Sequence, residues 1–183
     1  MNRFTDLSIY ENSYYKPGHP VVRFVWLIIS LIFFQHGLSI GSSWKVFILK
    51  IFGSKIGKGV VIKQNVHIKY PWFLTIGNYT WLGENVWIDN LCMVSIGSNC
   101  CISQGALLLT GNHNYKKNTF DLITGEIKLE DGVFIGAKSI VCPGVIAKSH
   151  SILTAGSVAT KNLESYSLYQ GNPAVFIRSR DFL

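Results

Sequence analysis

The chain has 183 residues, a formal net charge of +7, 48% hydrophobic and 15% charged residues, which bounds it to one domain with an appendage. The positive charge suits an anionic partner, but no basic helix or basic run accompanies it, so nucleic acid is not expected. A phosphorylated cofactor or an anionic membrane surface accounts for the charge equally well, and the uncharged apolar run from Phe24 to Phe34 falls short of the ~20 residues that a bilayer span needs.

In chain order, Met1 to Glu11 is polar and lacks the basic-then-apolar pattern of a signal peptide. Cys92, Cys100, Cys101 and Cys142 form no C-x-x-C pair and match no zinc spacing. They read as reduced, small apolar fillers, which fits a cytoplasmic chain. Pro20 suits the first turn of a helix running to Phe34, with Gln35-His36-Gly37 as its stop. Ser42-Ser43 suits the cap of a second helix from Trp44 to Phe52, ended by Gly53. Trp44, Phe47, Ile48 and Ile51 share one face of it, with Lys45 and Lys50 elsewhere. Residues 1–54 therefore read as a helical segment. It is either a cap on the repeats that begin at Ile56, since solenoid ends need covering, or an interfacial membrane contact through residues 20–52.

From Ile56 onward the chain keeps a beat of six. Ile56, Ile62 and Ile68 stand six apart, as do Ile76, Leu82 and Ile88, and then Ile96, Ile102 and Leu108. After a break the beat returns with Leu129, Ile135, Val141, Ala147, Leu153 and Ala159. A helix repeats near 3.6 residues and a flat strand at two; a solenoid coil with three flat sides puts one aliphatic plug inward every six. Glycine comes directly after several plugs (Gly57, Gly77, Gly83, Gly97, Gly136) and is expected to relieve crowding where the chain turns, since it tolerates positive φ. The first coils run at twenty residues, which places two extra residues near Tyr70-Pro71 and near Val94-Ser95 as bulged corners; later coils run at eighteen. The period predicts an all-β solenoid over residues 55–163 and a tail over 164–183. It does not set the hand, and general chirality favours right-handed crossovers.

The beat fails over residues 109–128. A loop thrown out of a solenoid carries binding or catalysis more often than structure. This one holds His113 between Asn112 and Asn114, and an imidazole titrating near neutrality suits general-base work. A loop histidine is by itself more often a solvated bystander.

The hexads, the loop Thr110-Gly111-Asn112-His113-Asn114-Tyr115, the turn Pro143-Gly144-Val145, the segment Ala155-Gly156-Ser157-Val158 and the tail Gly171-Asn172-Pro173-Ala174 together resemble a bacterial hexapeptide-repeat acyltransferase. More narrowly, Ile68-Lys69-Tyr70-Pro71-Trp72, Trp87-Ile88-Asp89-Asn90 and Cys101-Ile102-Ser103-Gln104-Gly105 resemble the colanic acid biosynthesis acetyltransferase family, with maltose and galactoside O-acetyltransferases as broader relatives. The resemblance implies a left-handed parallel β-helix, a homotrimer with active sites between subunits, acetyl-CoA as donor, no metal, and His113 as the base. It implies O-acetylation of a saccharide hydroxyl, on an acceptor that is free or lipid-linked, during surface polysaccharide or exopolysaccharide assembly at or near the inner face of the membrane.

Asp89 lies twenty residues before Leu109, under the root of the loop, and is a candidate to bind the acceptor with Asn112, or to orient His113; a corner residue is its plain alternative. Ala137 and Ala155 stand eighteen apart, a spacing that stacks two small residues into a shallow groove. The resemblance puts the pantetheine arm there, beside Phe134 where many relatives have tryptophan. It also puts CoA phosphates at Thr160 and Lys161, with Arg178 and Arg180 as candidates for the 3′-phosphate. Three alternatives stay open: N-acetylation of an amino sugar, a carbonic-anhydrase-like zinc site needing converging histidines, and a non-catalytic solenoid.

Overall fold

A computed structural model describes residues 4–35 and 41–182. Three parallel sheets form the sides of a prism. Sheet A stacks Lys55–Ile56, Leu74–Ile76, Val94–Ile96, Ile127–Leu129 and Ile146–Ala147. Sheet B stacks Val61–Ile62, Trp81–Leu82, Cys101–Ile102, Phe134–Ile135 and Ile152–Leu153, and sheet C stacks His67–Ile68, Trp87–Asp89, Leu107–Leu109, Ile140–Val141 and Val158–Ala159. The chain visits A, B and C in turn, so each coil hydrogen-bonds only to its neighbours.

The plugs of the sequence are the core. Leu82, Ile88, Ile102, Leu108, Ile135, Val141, Ala147 and Leu153 are fully buried, and an aliphatic side chain of Leu or Ile size buried this way contributes roughly 1.5–3 kcal/mol. A second inward residue comes four positions later: Val60, Val66, Thr80, Val86, Cys100, Ala106, Val133, Ser139, Val145, Ser151 and Ser157 are all buried. Hydroxyls at these places are mostly used. Thr80 Oγ1 donates to Gly97 O at 2.7 Å and accepts from Cys100 N, and Ser139 Oγ donates to Gly136 O at 2.6 Å. The four cysteines are unpaired, and burial pushes the Cys100 thiol up to about 11.

The glycines after the plugs do relieve crowding, but not through a positive φ. The positive φ falls three residues after the plug, at Asn65, Tyr79, Asn85, Asn99, Gly105, Lys138 and His150. The glycines directly after the plugs are not in that region. They lie where coils touch: a Cβ on Gly136 would sit 2.4 Å from Ala155 N, and one on Gly77 2.5 Å from the Gly97 carbonyl carbon. Their role is close backbone approach rather than turning.

The coil lengths agree with the spacing, Thr75 pairing with Ser95 and Lys128 with Ile146. The first pair of extra residues forms the 3-10 turn Pro71–Phe73. The second lies at 90–93 rather than at Val94-Ser95, because Val94 and Ser95 already belong to sheet A. Asn90 is buried there, its Nδ2 donating to the Tyr70 and Phe73 carbonyls at 2.6 and 3.1 Å. At the far end, Ser167–Gly171 adds to sheet B beside Ile152–Leu153 and returns as the antiparallel strand Ala174–Ser179, so the tail continues the solenoid wall.

Helices α1 (Pro20–Phe33) and α2 (Ser42–Ile51) cover the first coil. Pro20 occupies the first turn as expected, and the stop residues His36 and Gly37 lie outside the described residues. The α2 cap is Gly41. Ser42 is instead inside the helix, where its Oγ accepts from Ile62 N at 3.0 Å on the open strand edge. Trp26 Nε1 donates to Ile68 O at 2.9 Å, and Lys45 Nζ to Lys63 O at 2.6 Å. Lys45, placed away from the apolar face by sequence, is 1% exposed, and burial pulls its ammonium below the usual lysine range. An edge carbonyl needs a donor more than the core needs another aliphatic group. The consequence is that Trp44, Phe47 and Ile51 face outward, together with Val21, Phe24, Leu31 and Ile32 of α1.

Candidate active site

The break in the beat is a hairpin. Gly111–His113 pairs antiparallel with Leu122–Thr124, register His113 to Leu122 and Asn112 to Ile123, and it leaves the prism at the corner between sheets C and A. Its root is fixed by Thr110, fully buried, whose Oγ1 donates to Asp89 O at 2.8 Å and accepts from Leu91 N. At its tip Lys117 Nζ lies 2.8 Å from Asp121 Oδ2, and that contact holds the Asp121 carboxyl below its usual range.

His113 Nδ1 lies 3.0 Å from Phe120 O. A carbonyl only accepts, so Nδ1 carries the hydrogen and Nε2 is left with its lone pair. Phe120, at φ 51°, also stacks on the imidazole with centroids 4.5 Å apart and planes 9° apart. Tautomer and ring orientation are thus both fixed, as a general base requires.

A second restraint comes from the N-terminus. Asp6 N donates to Asn118 O at 2.8 Å, the Tyr14 hydroxyl donates to Leu122 O, and Tyr15 Oη donates to Leu91 O at 2.8 Å. The Tyr10 ring lies 5.7 Å from that of His113. Residues 4–18 therefore form a strap over the hairpin. Sequence reasoning missed it, and the one signal was the cluster Tyr10, Tyr14 and Tyr15 ahead of Pro17.

Successive residues of a strand face opposite ways, so the hairpin has two sides. His113 faces the strap. Asn112 faces the other side, where it lines a cavity of about 490 Å³ with Leu109, Ile123, Cys142, Pro143 and Thr160. Asn112 therefore sits with Thr160, a cofactor candidate, and not with Asp89, its expected partner on the acceptor. Lys161 is exposed next to Thr160.

Ala137 and Ala155 do stack in successive coils, Gly156 N donating to Ala137 O at 2.9 Å. They occupy the corner between sheets B and C, with Phe134 beside them, 37% exposed on sheet B. Strand Ile140–Val141 separates this corner from the Pro143 corner, so one chain does not bring Ala137 and Ala155 to His113. Arg178 is exposed on the last strand. Arg180 is already engaged, its Nη1 donating to Gly132 O at 3.2 Å and His150 O at 3.1 Å. Asp89 is well covered, with Lys69 Nζ 2.9 Å from its Oδ1. The approach is off the hydrogen-bonding direction, leaving Oδ1 without an aligned donor.

The histidines of a zinc site do not converge. His67 lies beside Trp87 and His150 packs on Tyr166 and Phe182. Among the described residues no three His, Cys, Asp or Glu side chains gather as a metal-binding group.

No family model matches the chain. It is 33% identical over 166 residues to the putative colanic acid biosynthesis acetyltransferase WcaF of Escherichia coli, covering 91% of each protein. The chain belongs to the hexapeptide-repeat acetyltransferases. Among solved structures, a maltose O-acetyltransferase from Clostridium difficile superposes with a TM-score of 0.80 at 21% identity, over 90% of each chain. A hexapeptide-repeat acetyltransferase from Vibrio cholerae, solved with acetyl coenzyme A, gives 0.78 at 22% identity over 88% of each chain.

Proposed function

We propose that the protein is an acetyl-CoA-dependent O-acetyltransferase acting on a saccharide hydroxyl in surface-polysaccharide or exopolysaccharide assembly. The observation that carries this reading is the His113 imidazole, whose Nδ1–H is held by Phe120 O at 3.0 Å, leaving Nε2 to take a proton. Nε2 removes the acceptor hydroxyl's proton as its oxygen attacks the thioester carbonyl. The tetrahedral intermediate then collapses, the C–S bond breaks, and the CoA thiolate leaves with the proton returned from the imidazolium. Asp89 binds the acceptor, and Asn112 faces the donor side. Thr160 and Lys161 meet the CoA phosphates, Ala137 and Ala155 provide the pantetheine groove beside Phe134, and Arg178 is the free guanidinium near the 3′-phosphate.

The separation of the Ala137 corner from the His113 corner supports a homotrimer, in which one subunit supplies the hairpin and its neighbour the groove. The outward Trp81 and Phe134, each exposed in the single chain, suit such an interface. Light scattering that finds a stable monomer with full activity would exclude it. The outward face of α1 and α2 supports a peripheral membrane contact near a lipid-linked acceptor; no described helix is long and apolar enough to cross a membrane. Vesicle flotation that is unchanged by Phe24→Glu with Trp44→Glu would remove that contact.

The central test is acetyl transfer from acetyl-CoA to a panel of saccharides, with products mapped by mass spectrometry. His113→Ala should lower turnover by about 10²–10⁴ with little change in acetyl-CoA affinity, whereas Lys161→Ala should weaken acetyl-CoA binding and spare kcat at saturation. Near-normal turnover by His113→Ala would point to an amine acceptor, for which positioning carries more of the rate.

A further inference from the structure

A cavity of about 350 Å³ lies between α1 and sheet C, on the N-terminal side of the hairpin. Its charged lining is Arg23 from the helix and Lys69 and Asp89 from the coil. Asp89 and Lys69 lie 2.9 Å apart and offset one another. Arg23 is left over. It has no ion pair among the described residues, and its Nε is buried without a hydrogen-bond partner. A guanidinium whose donor has lost water and gained nothing in exchange is primed for an oxyanion, which it binds through parallel N–H bonds.

The rest of the wall fits a sugar. Trp87 is 51% exposed and presents an apolar surface beside His67, suited to the C–H side of a pyranose. Tyr70 and Gln35 supply neutral polar groups. The cavity is also joined to the hairpin: the Asp89 side chain lines it, and the Asp89 carbonyl accepts from Thr110 Oγ1 at the hairpin root. A neutral sugar could offer Arg23 a single hydroxyl oxygen; a carboxylate or phosphate matches the fork with two parallel bonds and neutralises its charge.

We infer that this cavity is a specificity subsite in which Arg23 binds an acidic group of the acceptor, so that the acceptor is a saccharide carrying a carboxylate or a phosphate near the hydroxyl that is acetylated. This rests on the O-acetyltransferase reading and narrows it to anionic acceptors. Lys69 keeps Asp89 from repelling the incoming anion, and Trp87 holds the ring to which the acid is attached.

The test compares matched acceptors on the full chain with acetyl-CoA: methyl hexosides, the corresponding methyl hexuronides, and hexose 1-phosphates. The acidic member of a pair should exceed the neutral one in kcat/KM by about tenfold or more. Preference for uronide or for phosphate identifies the source of the acid. Arg23→Gln should bring the ratio to within about twofold, mainly through KM, and Arg23→Lys should keep part of it. A ratio near one in the parent, or an unchanged ratio in Arg23→Gln, overturns the inference. Tryptophan fluorescence titrated with the same sugars gives a reading independent of turnover, and Lys69→Gln serves if Arg23→Gln fails to fold. Should no saccharide be acetylated, the proposed reaction fails. The subsite then stands or falls on whether the acidic sugars alone shift the fluorescence and whether salt weakens that shift.

Discussion

The coils and the hairpin are built on opposite rules. In a coil, a residue's role is set by its place in the hexad: plug, close-approach glycine, positive-φ residue three after the plug, second inward residue four after. Within uninterrupted coils a partner is eighteen or twenty residues away, as in Ile140 with Val158 and Val61 with Trp81, and across the hairpin the same places still pair, as in Cys101 with Phe134. In the hairpin, place means little. His113 is oriented by Phe120 seven residues on, and its hairpin is tied down by Tyr14, which is 108 residues from Leu122. A periodic wall supplies rigidity but repeats its places; the proposed base therefore sits on an insertion, and the insertion needs its own restraints.

Three changes probe that contrast beyond the loss of turnover expected for His113→Ala. The largest effect on stability should come from Gly136→Ala. Its Cβ would meet the backbone of the next coil at Ala155 N, 2.4 Å away, with no side chain to yield. A loss of about 1–3 kcal/mol is expected, read as a lower Tm and denaturant midpoint. A Tm equal to the parent's would mean that the coils part easily and that their close approach does not require glycine at this place.

Tyr14→Phe should act the other way round. It removes the hydroxyl that bonds Leu122 O, worth about 0.5–1.5 kcal/mol, on an element outside the prism. Global Tm should shift by a degree or two at most, while turnover falls severalfold as the hairpin loosens around His113. Hydrogen exchange should rise at residues 111–124 and nowhere in the coils. Equal exchange in the hairpin of parent and variant would show that the strap merely lies on the surface.

The smallest effect should come from Lys138→Gly. Lys138 holds φ 55° at a corner where its neighbours in other coils use Asn or Gly. Releasing that strain should gain up to about 1 kcal/mol after the entropic cost of glycine. It is a stabilising glycine two residues from a glycine that tolerates nothing larger. If both substitutions destabilise, the assignment of the two positions within the hexad is mistaken.

The site was legible in part. His113 stood out as the histidine of a loop that broke a period, and Asp89 because one coil length put it under Leu109. Phe120, Tyr10 and Tyr14 were not legible, since an aromatic residue in a loop has no signature until its partner is located. The two helices show the same limit. Their boundaries were set by Pro20 and by apolar spacing, but the buried face of α2 was not. Spacing favoured Trp44, Phe47, Ile48 and Ile51, of which Ile48 alone packs against the core, and the open carbonyl of Lys63 claimed Lys45 instead.

The sequence by itself determined the prism. A period of six is a one-dimensional property, and the same hexad places pair from coil to coil whether the coil is short, long or interrupted by the hairpin, as Thr75 does with Ser95 and Ser95 with Lys128, so the pattern specifies the packing. The tertiary structure alone decided which nitrogen of His113 is free, that a strap crosses it, that Asn112 and His113 face opposite sides, and that Arg23 stands unpaired in a cavity beside Asp89. These depend on groups brought together across unequal stretches of chain, and on which of them find hydrogen-bond partners once water is excluded.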